Sequence, residues 1–309
     1  MPVDPYGNYY EDDSAYQPRW DLRKVVVRLI PLIIAVGAAV LTMVRGCQQG
    51  PFGRPQVLAV GQKDEVVLGI QAFEQVKRQQ ARNILQGGPL VEVVRKITER
   101  LADATKDPRV LAITKMPTQD FKWEVEVIRS PEVNAFCLPG GKMVVYTGLI
   151  PVAQTEGALA AVMGHELSHA LAHHGNERMA SQDITQKLQM GVAGSVAGMD
   201  YETQRAVMIA FNAGAQYGAL LPFSRKHESE ADRIGVLLMA AAGYDPHEAV
   251  ELWKRMAKAS QGKTPPEFAS THPSTGRRIQ DIEGWISEAM PLFEGRNNHD
   301  TLRRLPAPL

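Results

Sequence analysis

The chain has 309 residues and a formal net charge of zero, 34 Lys and Arg against 34 Asp and Glu. That balance gives no support to nucleic-acid binding, which needs a clustered basic excess. Only two cysteines, Cys47 and Cys137, occur, so a disulfide framework has no basis. Few aromatics and plentiful Ala, Gly, Leu and Val fit a mostly helical α+β protein.

Met1 to Trp20 is rich in Tyr, Asp, Asn and Pro and lacks apolar periodicity, which reads as a disordered tail over 1–22. Arg23-Lys24 and Val25-Val26-Val27-Arg28 then lead into a charge-free apolar run, Leu29 to Val44. Counted from Val25 the run reaches the roughly 20 residues that a bilayer core requires, with Arg28 near enough to its end to snorkel. A transmembrane anchor is expected over 23–45, meeting lipid through 25–44. Arg19, Arg23, Lys24 and Arg28 precede the run and Arg45 and Arg54 follow it. The positive-inside rule puts the tail in the cytoplasm and the chain after residue 50 on the far side, the periplasm if the membrane is a bacterial inner membrane. The basic flanks argue against a buried core helix, and the long acidic, Tyr-rich start against a cleaved signal peptide. A lipoprotein attached at Cys47 is the minor alternative, opposed by Arg45 where small residues are usual.

Gly, Pro and Gln from Gly50 to Arg54 mark a linker, taken as 46–63, before a single domain over 64–290. Val67, Ile70, Phe73 and Val76 have helical spacing within 64–86. Gly87-Gly88-Pro89 breaks the pattern, and a second helix runs from about Leu90 to Ala104. Phe121 to Val127 alternates as a strand does. Ala135–Leu138 and Lys142–Thr147 read as two more strands, joined through Pro139-Gly140 in a type II turn. After Gly148 nearly everything is helical. Thr155 caps a helix reaching His174 and ending at Gly175. Others follow at about 183–197, 201–220, 224–242, 246–260 and 274–289, and 291–309 is a C-terminal tail. The Gly/Ala-rich stretch Met190 to Leu220 is interrupted by Asp200, Glu202, Gln204 and Arg205, which favours close helix packing over membrane insertion.

The chemistry centres on His165-Glu166-Leu167-Ser168-His169. Residues four apart share a helix face, so both imidazoles can reach one ion. Glu166 is turned about 100° from His165 and lies beside that ion, placed to take a proton from water activated by a metal. Two histidines and a glutamate in so apolar a helix would be costly to bury without a partner, and the bare pattern arises by chance in about one chain in a hundred. A catalytic zinc takes a third protein ligand, and its candidates lie in Glu228-Ser229-Glu230-Ala231-Asp232. Glu228 and Asp232 share a face while Glu230 points roughly 200° away. With Glu228 on the metal, Asp232 could accept the outer N–H of a ligand histidine. The plainer alternative is a solvated acidic face after Arg225-Lys226.

Four stretches, Val133 to Gly141, Met163 to Gly175, Arg225 to Asp232 and Thr271-His272-Pro273, together resemble the membrane-linked zinc metallopeptidases, the family of HtpX, BepA, LoiP and the CAAX prenyl proteases. The likeness covers about residues 65 to 285 and leans to the periplasmic branch of BepA and LoiP. It implies a gluzincin-type fold, with a small β-sheet packed on the active-site helix and one transmembrane helix ahead of it. One zinc per chain would be held by His165, His169 and Glu228, with Asp232 supporting a ligand histidine and Glu166 as general base. Lys142, Met143, Val144, Val145 and Tyr146 would form an edge strand along which an extended polypeptide adds through its backbone. His272 would lie near the metal, blocking its open position or stabilising an oxyanion; otherwise it is a loop histidine ahead of a helix begun by Pro273. The implied activity is endoproteolysis of unfolded or misassembled membrane and envelope proteins, the alternative a zinc-containing chaperone or scaffold with latent protease activity. A single span sets the chain apart from relatives that process prenyl proteins inside a chamber of many membrane helices. Cys137 departs from the family's small apolar residue and is read as packing. His173 and His174 are read as complementing a helix C-terminus, and His227 has no assigned role.

Overall fold

A computed structural model describes residues 22–259, 267–268, 272, 276–296 and 302–307. The expected tail, Thr271, Pro273 and part of the C-terminal segment lie outside the described residues.

Helix α1 (Leu22–Gly46) carries the apolar run. Among the described residues it is the one helix long and apolar enough to cross a membrane, over Val25–Gly46. The expected linker is instead an ordered hairpin, with β1 (Cys47–Gln49) and β2 (Pro55–Val57) paired antiparallel from Cys47↔Val57 to Gln49↔Pro55. Its turn is held down by Arg54, whose partners are buried carboxylates, and by Phe52 under the Arg233 guanidinium at 4.2 Å.

Helix α2 (Gln62–Gln79) stops short of the expected end. The chain beyond it is drawn to the sheet, where Leu85 N donates to Val127 O at 2.9 Å and Arg129 N to Asn83 O at 2.8 Å. Helix α3 (Pro89–Ala104) follows, and α4 (Pro108–Thr114) is capped by Asp107, which accepts from Arg109 N.

The main sheet has three strands, β3 (Glu124–Ile128), β4 (Ala135–Leu138) and β5 (Lys142–Tyr146), in the order β3-β5-β4. β3 starts later than the alternation suggests, because Phe121 and Trp123 pack edge to face at 5.4 Å. Lys142–Tyr146 is not an edge strand. It lies in the middle, parallel to β3 and antiparallel to β4, with Lys142 through Val145 buried. Met143 and Val145 enter the main core and Val144 packs with Phe73 on the opposite face. Burial on both faces calls for a continuous apolar run rather than alternation, and Met-Val-Val is such a run. The free edge is β4, for which β5 is the sole strand partner among the described residues.

The remaining elements are helices: α5 (Ile150–Ala153), α6 (Glu156–Leu171), α7 (His174–Val196), α8 (Tyr201–Ala213), a π-helical stretch Gly214–Leu220, α9 (Leu221–Ala241), α10 (His247–Ala259) and α11 (Gly276–Glu294). Thr155 caps α6 through Ala158 N, but the helix does not run on to His174. His173 adopts a left-handed φ of 58° and a new helix begins at His174. The corner is pinned from several sides. His173 Nδ1 donates to Glu65 Oε2 at 2.8 Å, Gln119 Nε2 donates to Leu171 O at 2.7 Å, and Asn176 Nδ2 donates to Glu65 Oε2 at 2.9 Å.

Helix α6 is buried along nearly its whole length, its only partly exposed residue being His169. It crosses α9 at a glycine pair, where a Cβ on Gly235 would come within 2.9 Å of His165 N and 3.1 Å of Gly164 C. Any side chain there pushes the two backbones apart. Gly235→Ala is expected to cost about 1–3 kcal/mol, the usual penalty of overpacking. Chemical denaturation of the two proteins measures it, and equal stabilities would show that the helices part freely.

Candidate metal centre

α6 presents His165, Glu166 and His169, α9 presents Glu228 and Asp232, and His272 comes in from beside Phe268, to whose carbonyl its own N–H donates at 2.8 Å. The structure brings His165, His169, Glu228 and His272 together, one ligand atom of each lying within 4.8 Å of all the others. His165 Nε2 is 3.1 Å from His169 Nε2 and 3.4 Å from Glu228 Oε2, and His169 Nε2 is 3.4 Å from Glu228 Oε1. His272 Nδ1 lies 2.8 Å from Glu228 Oε2 and 3.2 Å from His165 Nε2. Four donors converging on one small volume fit a divalent ion of the kind that takes imidazole and carboxylate ligands. Beside them Glu166 Oε1 is buried with no hydrogen-bond partner, 3.4 Å from His272 Nε2 and 4.0 Å from His165 Nε2.

The outer nitrogen of each α6 histidine is held by a chain that ends in an arginine. His165 Nδ1 is 2.9 Å from Asp232 Oδ1, and Arg278 grips Asp232 through Nε at 2.6 Å and Nη2 at 2.8 Å while lying over the Trp253 ring at 3.6 Å. His169 Nδ1 is 2.8 Å from His174 Nδ1, and His174 Nε2 donates to Glu230 Oε2 at 3.0 Å. That leaves His174 Nδ1 to accept the His169 proton and Nε2 of His169 facing the cluster. Glu230 and Glu177 share Arg54, at 2.6 Å and 2.7 Å from Nη2. His227 donates to Glu177 at 3.0 Å and stacks on His174 at 4.2 Å.

The electrostatics follow from burial and these partners. Burial raises Glu166 above the ordinary carboxylate range, against the pull of His272 and His165. Burial also disfavours charge on Glu228, but hydrogen bonds from His165 and His272 keep it ionised, far below that range. Burial is outweighed at His165 by Asp232 and Glu228, which raise it to about 9. Burial, with the nearby His165 and His174, lowers His169 well below its usual value, and burial brings His174 down to about 4.

Several of these residues were not foreseen. His174 does not close the C-terminus of α6 but opens α7, because the left-handed corner at His173 turns it back against His169. Arg278 and Arg54 carry no local signal, since each looks like one more surface cation. Glu230 stands on the other side of α9 from Glu228, as its spacing requires, yet points at a second buried cluster and not at solvent. Cys137 on β4 is half-buried, and burial together with the Glu166 charge pushes its thiol far above the ordinary range.

Glu177 and Glu230 are both held below the usual 4.5, burial being overcome by His227, His174 and Arg54. A carboxylate depressed in the folded state adds stability that is complete above its unfolded pKa and is lost as pH falls through the folded one. Arg54→Ala is therefore expected to cost about 2 kcal/mol at pH 7, below the full value of a broken buried pair because Arg54 is partly exposed. The gap should shrink as pH drops below about 4.5. Urea denaturation of both proteins at pH 7 and pH 4 checks it; a gap that grows in acid would refute the assignment.

The sequence profile of peptidase family M48 matches residues 94–286. The mitochondrial metalloendopeptidase OMA1 of Schizosaccharomyces pombe is 44% identical over 183 residues, 59% of this chain and 51% of that protein. OMA1 of Saccharomyces cerevisiae is 31% identical over 250 residues, 78% of this chain and 69% of that protein. The beta-barrel assembly-enhancing protease of Escherichia coli K12 is 31% identical over 170 residues, 54% of this chain and 35% of that protein. The chain thus spans about half the length of the S. pombe protein.

Proposed function

Because the chain belongs to peptidase family M48, we propose that it is a zinc-dependent endopeptidase of the gluzincin type, with His165, His169 and Glu228 holding one zinc per chain. The observation that carries the reading is the convergence of those donors beside a buried carboxylate, Glu166, with an unpartnered oxygen. A bound zinc would supply Lewis acidity toward water and toward the scissile carbonyl. Glu166 takes the proton of the attacking water and delivers it to the departing amide nitrogen, and its raised pKa suits it to both steps. Asp232 and His174 hold the two imidazoles in the tautomer that keeps Nε2 toward the ion.

Substrate enters as an extended chain along β4. Its edge is open to backbone pairing, which selects for unfolded polypeptide and not for sequence, and Cys137 on that strand lies close enough to Glu166 to feel its charge. Unfolded or misassembled membrane and envelope proteins are the substrate class, a reading supported by the likeness to the beta-barrel assembly-enhancing protease. α1 spans the bilayer with the tail on the cytoplasmic side and the catalytic domain opposite, in the periplasm of a bacterial cell.

His272 stands inside the donor set, where a water would have to bind, and acts as a latch. The same contact favours a second reading, a zinc-containing chaperone or scaffold whose protease activity stays latent. Zinc content and casein cleavage by the full-length protein in detergent separate them. One zinc per chain is expected, with Glu166→Gln keeping the metal and losing cleavage by about 10²–10⁴-fold, and His272→Ala cleaving faster. Zinc without cleavage in any variant would favour the scaffold, and absence of zinc would overturn the site. His174→Ala is expected to weaken zinc binding about 10–100-fold in chelator competition, with His247→Ala, at an exposed position, unchanged; equal affinities would remove His174 from the centre.

A further inference from the structure

The helix most extensively packed against α1 is α7, and the two run antiparallel. Thr42 meets Asp183 at 3.3 Å and accepts from Lys187 Nζ at 2.7 Å, and Lys187 pairs with Asp183. One turn on, a Cβ at Gly191 would lie 2.4 Å from Ala35 Cβ, and one at Gly194 would lie 2.8 Å from Pro31 Cβ. At the far end Gly198 comes beside Arg28, a Cβ there falling 3.9 Å from the guanidinium. Residues 183–198, from α7 and the start of the turn after it, therefore lie alongside residues 28–42 of α1, about 21 Å of that helix at 1.5 Å per residue. Those α1 residues fall inside its candidate span, Val25–Gly46.

From this register we infer that α7 and α8 form a helical hairpin embedded in the bilayer beside α1, its turn at Gly198–Tyr201 reaching the side of the N-terminal tail. The inference rests on α1 crossing the membrane. A helix packed along the middle of a spanning helix must share its depth.

The hairpin has the chemistry that hydrocarbon demands. Residues 188–199 and 206–224 contain no Asp, Glu, Lys or Arg, and Asp200, Glu202 and Arg205 are gathered at the turn. The α1–α7 contact is built from small residues, with Ala35 and Ala39 buried on one side and Gly191 on the other, a packing that drives association where lipid removes the hydrophobic effect. Gln189 Nε2 donates to Asn212 Oδ1 across the hairpin at 3.3 Å, and Lys187 is paired, as an intramembrane charge must be. Among the described residues α8 buries none, Met190 and Ile209 are 60% and 59% exposed, and the outer face of α1 is likewise bare. One continuous occupant, the acyl region of the bilayer, covers all three surfaces.

The test is sidedness in sealed vesicles of known orientation. The full-length protein carries Cys47→Ser and Cys137→Ala and one of three single cysteines, Ser14→Cys in the tail, Glu202→Cys at the turn or Lys63→Cys in the domain, and is probed with a membrane-impermeant maleimide. The expected result is that Ser14→Cys and Glu202→Cys react from one side and Lys63→Cys from the other. Reaction of Glu202→Cys with Lys63→Cys, and Ser14→Cys opposite, would leave α1 as a span and overturn the hairpin. Reaction of all three from one side would instead overturn the anchor, and the hairpin with it.

Discussion

Two glycines facing each other where α6 crosses α9 set the distance on which the functional centre depends. Gly164 precedes His165, and Gly235 follows Asp232 by three residues. Because neither carries a side chain the two backbones touch, and Asp232 reaches His165 Nδ1 at 2.9 Å while Glu228, one turn earlier on α9, meets both imidazoles. A wider crossing would leave the histidines of one helix and the carboxylates of the other as separate buried polar groups, each with its own desolvation cost.

Around that contact Asp232, Glu177 and Glu230 each have an arginine, and the arginines come from far away in sequence. Arg278 reaches Asp232 from α11 and Arg54 reaches Glu177 and Glu230 from the hairpin after α1. A buried ion pair repays its desolvation only with good geometry and saturated hydrogen bonds. The bidentate grip of Arg278 and the shared fork of Arg54 meet that condition. Arg278 thus adds to the burial of Ile282, Ala289 and Leu292 that docks α11 on the core, and Arg54 fastens the hairpin to α7 and α9.

Much of this was readable from residue types and spacing, and the misses share a cause. The paired histidines and Glu166 announce themselves because a single helix period relates them. The apolar run of α1 needs only length and composition. What fails is anything decided by a neighbour distant in sequence. The resemblance implies an edge at Lys142–Tyr146, although three consecutive apolar residues in it are the mark of a strand covered on both faces. The segment 46–63 looked like linker because nothing local shows that Arg54 has two buried glutamates to meet. His174 reads from sequence as a helix end, since the left-handed turn at His173 is held by Glu65, more than one hundred positions earlier.

That corner has a mechanical consequence. Only Ala172 and His173 join α6 to α7, His173 being fixed by Glu65, so the two helices behave as one bent bar and the joint as its fulcrum. The long arm is α7, 23 residues or about 34 Å at the usual rise. The short arm, from the joint back to His169, is about 6 Å. Swinging the tip of α7 sideways by about 3 Å would then move the His169 ring by roughly 0.5 Å, about the tolerance within which a catalytic constellation keeps its geometry. Ordinary jostling at the far end is geared down to something the centre absorbs, and only a larger tilt of the long arm would be felt at the metal ligands.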